Sequence, residues 1–272
     1  MRSYQVDMCN GPIFKKLIIF SLPLILSSCL QLLFNAADII VVGRFTGNQA
    51  LAAVGSTSAL INLLVNMFIG ISVGTNVVLG KSIGARDEEN TSKAVHTAIF
   101  IAVFGGFLMM IVGFFFAKPL LELMATPEDV INLSSLYMRI YFAGMPFFMA
   151  YNFGAAILRS IGDTKRPLYF LLISGIINVL FNLCFVIVFH MGVAGVALAT
   201  IISEGISSAL ILLCLKHMDG PLHFELKDMR FHKELALQML EVGLPAGLQG
   251  IIFSISNVLI QSSINSFGSL VM

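Results

Sequence analysis

The chain has 272 residues, 57% of them apolar and 11% charged, with a mean hydropathy of +0.92. Water-soluble proteins carry about 25% charged residues, so this composition excludes a disordered chain, a nucleic-acid binder and most soluble enzymes. Sixteen basic against fifteen acidic residues leave a net charge of +1, with no bulk attraction to acidic partners.

Lys15 and Lys16 precede an apolar run from Leu17 to Val42. A signal peptide has an apolar stretch of only about 7–15 residues, so this run predicts a retained first helix. Spans are predicted at roughly 15–43, 51–80, 94–117, 131–158, 168–189 and 193–215, and a seventh begins near Gly243. Backbone groups in hydrocarbon must be satisfied within the segment, so the spans are helical. The expected fold is an all-α integral membrane protein: a six-helix lobe plus a seventh helix.

Charge sets the orientation. With a cytoplasmic N-terminus, the inner segments hold Arg2, Lys15, Lys16, Lys81, Arg86, Lys93, Arg159, Lys165, Arg166, Lys216, Lys227, Arg230 and Lys233. The outer loops hold only Arg44 and Lys118. A missed or extra helix would invert every later loop and destroy this positive-inside bias. The longest connection, 216–241, is also inside, and its latter half (HKELALQMLEV) predicts an amphipathic helix lying on the cytoplasmic face.

Ser21-Leu22-Pro23 and Gly243-Leu244-Pro245 lie 222 residues apart, and at that offset Asn35 falls on Asn257 and Phe45 on Phe267. This repeat predicts a second, parallel copy of a six-helix lobe. The expected organisation is residues 1–215 as an N-terminal lobe, 216–241 as an interlobe linker and 242–272 as the first helix of an incomplete second lobe. The chain then reads as about three-fifths of a pseudo-two-fold twelve-helix protein, with the C-terminal lobe as a missing partner.

Cys9, Cys29, Cys184 and Cys214 are scattered, and neither C-x-x-C nor H-E-x-x-H occurs. His96, His190, His217, His223 and His232 fall at span ends or in loops and form no nucleophile–base or metal set. No enzyme and no cofactor is expected, and no metal beyond sodium.

Ionisable residues inside spans cost about 2.5–3.5 kcal/mol each at mid-helix and need a reason. Three stand out: Asp38, Arg139 and Glu204. Asp38 shares a helical face with Gln31 and Asn35, seven and three residues earlier. It reads as an interfacial aspartate near Arg44 or, preferred here, as a cavity carboxylate that holds a proton or sodium ion. Ser174, Asn178 and Asn182 form one row on the fifth span. They read either as interhelical glue or as oxygen ligands and support for a cation shared with Asp38. Thr200, Glu204 and Ser208 repeat at four on the sixth span. Arg139 either pairs with Glu204 or reaches the outer interface. Ser58, Asn62, Asn66, Gly70 and Gly74 form a row on the second span. Close helix packing is its main expected use, with Asn62 and Asn66 as candidate cavity residues. Met145 and Phe148, flanking Pro146, offer adaptable apolar surface for organic ligands.

Four segments carry a family resemblance: SLPLIL…NAADIIVVGRFTGNQALAAVG in the first helix and beyond, LRSIGDTKRPL at 158–168, GVAGVALAT at 192–200 and VGLPAGLQGIIFSISN at 242–257. In this order they resemble the multidrug and toxic compound extrusion (MATE) transporters. The resemblance implies two six-helix lobes around a cavity that opens alternately to either side. It implies export of organic, often cationic, compounds in exchange for protons or sodium, in the cell membrane (here a bacterial cytoplasmic membrane). It assigns Asp38 as the principal cation-site carboxylate, with Asn178, Asn182 and Thr200 around it. Asn182 stands where the family often has an acid; Glu204 stands where it often has a glutamine and is a further cation-site candidate that could restore the lost charge, one turn beyond Thr200. A lipid-linked sugar flippase is the alternative within related transporters. It would line its cavity with basic residues, for which Arg139 is the one intramembrane candidate.

Overall fold

A helix rises about 1.5 Å per residue, so a bilayer core of about 30 Å is crossed by some 20 residues. Most helices of this protein reach that length, and two short ones, each of 16 residues, follow one another as a bent pair. The computed structural model describes residues 11–268. It contains α1 (Ile13–Phe45), α2 (Asn48–Gly84), α3 (Glu88–Leu123), α4 (Glu128–Ala143), α5 (Met145–Ser160), α6 (Lys165–Leu183), α7 (Gly192–Lys216) and α8 (Lys233–Asn265). Six of the helices are long and apolar enough to span a membrane, and α4 with α5 makes a seventh span bent by 48°. The chain is a multi-pass membrane protein. Arg2, Cys9 and the last four residues of the expected seventh segment lie outside the described residues.

The fourth span, expected as one helix over 131–158, is broken at Gly144 instead. Pro146 sits in the first turn of α5, where its missing N–H costs nothing. Two glycines of α3 admit the break. A Cβ on Gly106 would lie 2.5 Å from the Cα of Pro146, and one on Gly113 would strike the Phe142 ring. The fifth span also departs from a plain helix, because α6 continues into a π-turn at Cys184–Val188.

The α5–α6 turn is pinned at the inner end. Asp163 accepts the backbone N–H of Arg166 at 3.1 Å and pairs with its Nε at 2.5 Å. Arg166 Nη1 donates to Cys214 Sγ of α7 at 3.1 Å. Burial raises the Asp163 carboxyl above its ordinary range, with the Arg166 contacts opposing the shift.

No separate amphipathic helix lies between the sixth and seventh spans. Residues 233–241, expected as part of a linker, are the first turns of α8, which begins ten residues before Gly243 and runs unbroken through Pro245. The segment before it folds back on α3. Leu222 and Phe224 are buried, the Phe224 N–H donates to Leu215 O at 3.3 Å, and the Phe224 ring lies 5.6 Å from that of His96. The His232 N–H reaches Thr97 Oγ1 at 3.3 Å.

α8 runs antiparallel to α2, backbone against backbone. Gly70-x-x-x-Gly74 faces Gly243-x-x-x-Gly247. A Cβ on Gly70 would meet Gly247 N, one on Gly74 would meet Met239 O, and one on Gly243 would lie 2.6 Å from Ile71 Cα. Small residues at this spacing are how membrane helices approach closely without a hydrophobic driving force. The seam is fastened at one end by Asn66 Nδ2 donating to Ser254 Oγ at 2.7 Å and at the other by Thr75 Oγ1 donating to Met239 Sδ at 3.5 Å.

Two outcomes follow from this packing. Gly74→Ala should lower the thermal unfolding midpoint, because an added methyl in a filled seam costs about 1–3 kcal/mol. Gly80→Ala on the same helix meets nothing within 4 Å and should leave the midpoint unchanged. In the inner segment, His223 Nε2 pairs with Glu225 Oε1 at 3.1 Å, which raises the histidine and lowers the glutamate. The pair is complete above the ordinary glutamate value of 4.5 and below the ordinary histidine value of 6.5. It is lost as pH rises through the raised histidine value or falls through the lowered glutamate value. Glu225→Gln should move the His223 imidazole titration, followed by NMR, down toward 6.5.

Candidate functional site: a polar cavity inside the lobe

The row Gln31, Asn35, Asp38 on α1 and the row Ser174, Asn178, Asn182 on α6 face each other because of one missing side chain. Gly175 has no Cβ, and the Phe34 ring fills its place; any side chain at 175 would collide with that ring. This contact draws two parallel helices together and brings Asp38, one turn beyond Phe34, to Asn182.

Asp38 is buried, with 8% of its surface exposed, and Asn182 fully so. The Asn182 side-chain amide donates to Asp38 Oδ1 and, at 3.2 Å, to Asn178 Oδ1. Asn178 Nδ2 donates to Thr200 Oγ1 of α7 at 3.4 Å, and the Thr200 hydroxyl itself donates to Val196 O at 3.0 Å. Four residues from three helices thus form one connected cluster. The side-chain oxygen of Asn182 is buried and has no hydrogen-bond partner among the described residues. The cluster offers carboxylate, amide and hydroxyl oxygens, the donors that suit a hard cation or a proton. The reading of Asp38 as an aspartate turned to the outer interface does not fit its burial.

Asp38, Asn178 and Thr200 of the cluster line a cavity of about 480 Å³. Gln31, Asn35, Asn62, Phe148, Ser174, Asn178, Thr200 and Glu204 all line it with Asp38. Glu204 stands on its wall beside the α4–α5 break: a Cβ on Gly144 would lie 3.4 Å from Glu204 Oε2. Its carboxylate has no hydrogen-bond or ion-pair partner among the described residues, so the structure places it on the wall without joining it to the Asp38 cluster.

Two cavity candidates fail on direction, and of the two alternatives for Arg139 one is excluded. Asn66 lies in the seam with α8, bound to Ser254 and Gly250, not on the cavity with Asn62. Met145 is fully buried at the break between α4 and α5 and does not reach the cavity. Arg139 does not pair with Glu204. It faces outward, with its guanidinium carbon 5.5 Å from the centroid of Phe114, a cation–π arrangement.

Other lining residues carried a weaker signal. Tyr137 and Tyr141 line the cavity from α4, and Tyr151, Asn152 and Arg159 from α5. Phe148, Asn152 and Arg159 share one face of α5, a row hidden in the sequence because Arg159 reads as a cytoplasmic loop charge. Arg159, not Arg139, is the arginine that lines the cavity.

Residues 23–184 match the MatE family model. Over 266 residues the chain is 34% identical to the "Probable multidrug resistance protein YoeA" of Bacillus subtilis (strain 168), covering 94% of this chain and 57% of that protein. It is 32% identical over 269 residues to the "Probable multidrug resistance protein YpnP" of the same organism, covering 98% and 59%. A solved structure described as the outward-facing conformation of a multidrug resistance MATE family transporter matches with a TM-score of 0.85 and 27% identity, over 94% of this chain and 57% of that one. An inward-facing counterpart matches with a TM-score of 0.82 and 27% identity, over 89% and 55%. The chain spans less than three-fifths of the length of these relatives. The family model covers more than half of the chain, which therefore belongs to the MatE family, the multidrug and toxic compound extrusion transporters.

Proposed function

We propose that this chain forms the coupling lobe of an antiporter that exports organic, often cationic, compounds in exchange for protons or sodium. The observation that carries the reading is the Asp38–Asn182–Asn178–Thr200 cluster at the wall of the polar cavity. A second lobe, led by α8, completes the transporter and covers the uncovered sides of α1. The bacterial cytoplasmic membrane is its place, in keeping with the Bacillus relatives.

The cation is cargo, not a resident cofactor. It arrives from outside at Asp38 and favours a state that releases the exported compound. Its departure to the inside resets the cavity. Coupling requires only that cation and compound prefer different states by a few kcal/mol. Asn182 supplies an amide where a second carboxylate would bind sodium more firmly, so one charge serves the cation.

In proteoliposomes holding the intact two-lobe transporter under separate proton and sodium gradients, Asp38→Asn should abolish gradient-driven efflux while expression and thermal stability stay normal. Undiminished efflux removes Asp38 from the coupling step and with it this reading. Asn182→Asp adds a carboxylate beside Asp38. It should raise the sodium sensitivity of transport by about tenfold, within the usual size of such couplings, measured as the sodium concentration for half-maximal effect.

A further inference from the structure

The cavity is electrically polarised along its length. Along α1 the lining runs from Leu24 near the inner end to Asp38 near the outer end, about 21 Å of helix. Both lining carboxylates, Asp38 and Glu204, lie toward the outer end or the middle. At the inner end stands one cation, Arg159, the penultimate residue of α5.

Arg159 differs from every other arginine of the lobe interior. Arg166 is paired with Asp163, and Arg139 rests on an aromatic ring outside the cavity. Arg159 makes no side-chain hydrogen bond or ion pair among the described residues, and its Nε is buried with no partner. Tyr151 beside it gives its hydroxyl proton to Pro167 O at 3.0 Å. The Asn152 amide nitrogen on the same face donates to Phe148 O at 2.9 Å. A guanidinium stays charged at any working pH and carries five donors in a planar fork matched to carboxylate and phosphate oxygens. Holding its Nε buried without an acceptor is costly. A cavity of about 480 Å³ has room for a small organic molecule.

We propose that Arg159 anchors an anion-binding subsite at the inner end of the cavity, for the carboxylate or phosphate group of a bound organic molecule. The proposal deepens the transport reading and rests on it for the purpose of the cavity. It adds that the cargo carries an anionic group held away from Asp38. The same chemistry is offered by a free organic anion and by the phosphate of a lipid headgroup.

The test uses purified protein in phosphatidylcholine nanodiscs and three probes of one shape: 2-naphthoate, methyl 2-naphthoate and 2-naphthyltrimethylammonium. Naphthoate should bind at least about tenfold more tightly than its neutral ester, the scale of an enclosed charge-assisted pair. Arg159→Gln should remove that difference, and Arg159→Lys should restore part of it, since the charge remains but the fork is lost. Adding phosphatidylglycerol to the nanodiscs separates the sources. Weaker naphthoate binding in the wild type alone points to the lipid phosphate, and unchanged binding to a free organic anion; either outcome supports the subsite. Equal binding of naphthoate and ester by the wild type overturns it, as does a preference that survives Arg159→Gln. The wild-type comparison stands even if the Gln variant does not fold. The ammonium probe reports separately on the transport reading: failure of that probe with naphthoate bound refutes the cationic cargo and leaves the subsite intact.

Discussion

A carboxylate carried by an apolar helix must be given donors or the helix will not stay where it is. Asp38 imposes that condition on this lobe. Along most of its length α1 turns its large apolar side chains outward, with Leu22, Ile25, Leu32, Leu33 and Ile40 all exposed. Its specific attachments are few: Pro23 and Ser27 low on the helix, Phe34 in the space left by Gly175, and the Asp38 cluster with Val41 and Val42 above it. Hydrogen bonds between membrane helices average only about 0.6 kcal/mol, because the separated helices find other partners. The cluster therefore contributes less to holding α1 than to selecting its register. A shift of one turn outward would carry Asp38 past the end of the Ser174–Asn178–Asn182 row, at several times that cost.

How much of this was legible in the sequence depends on how far each residue is from a boundary. The spans and their orientation follow from the demand for about 20 apolar residues and from the loop charges, neither of which depends on packing. The rows on α1 and α6 were legible because polar residues repeating on one face of an apolar helix cannot be left against lipid, so they mark an interior face. The row on α2 misled at a single step. Asn62 and Asn66 are four residues apart, so their directions differ by about 40°. α2 sits between the cavity and α8, and that angle suffices to put Asn62 on one side and Asn66 on the other.

Met145 and Arg159 misled for another reason. The break at Gly144 re-aims everything after it, so a face extrapolated through 131–158 does not continue into α5. Sequence counting also placed Arg159 with the cytoplasmic charges, because helix ends cannot be told from loops to within a few residues. The extra turns at the start of α8 belong to the same class: Lys233 to Glu241 are helical, but composition alone could not join them to the span that follows. The alignment of Pro23 with Pro245 was informative at a coarser level. Both prolines lie inside long helices that continue past them.

These boundaries make α2 the shared wall of two structures. Its Asn62, Val65 and Ile69 line the cavity, while Asn66, Gly70 and Gly74 close on α8. Most helix pairs meet through side chains, which can change rotamer and absorb a displacement. Here backbone meets backbone through glycines, and nothing soft lies between. Close-packed contacts of this kind transmit movement instead of absorbing it. A displacement of α8 along its axis must either carry α2 with it, and so move the cavity wall, or break the Asn66–Ser254 bond and separate the glycine seam. The first route is the cheaper one, because it keeps every contact in the seam. A helix that lies outside the six-span bundle is in this way mechanically continuous with the wall of the polar cavity.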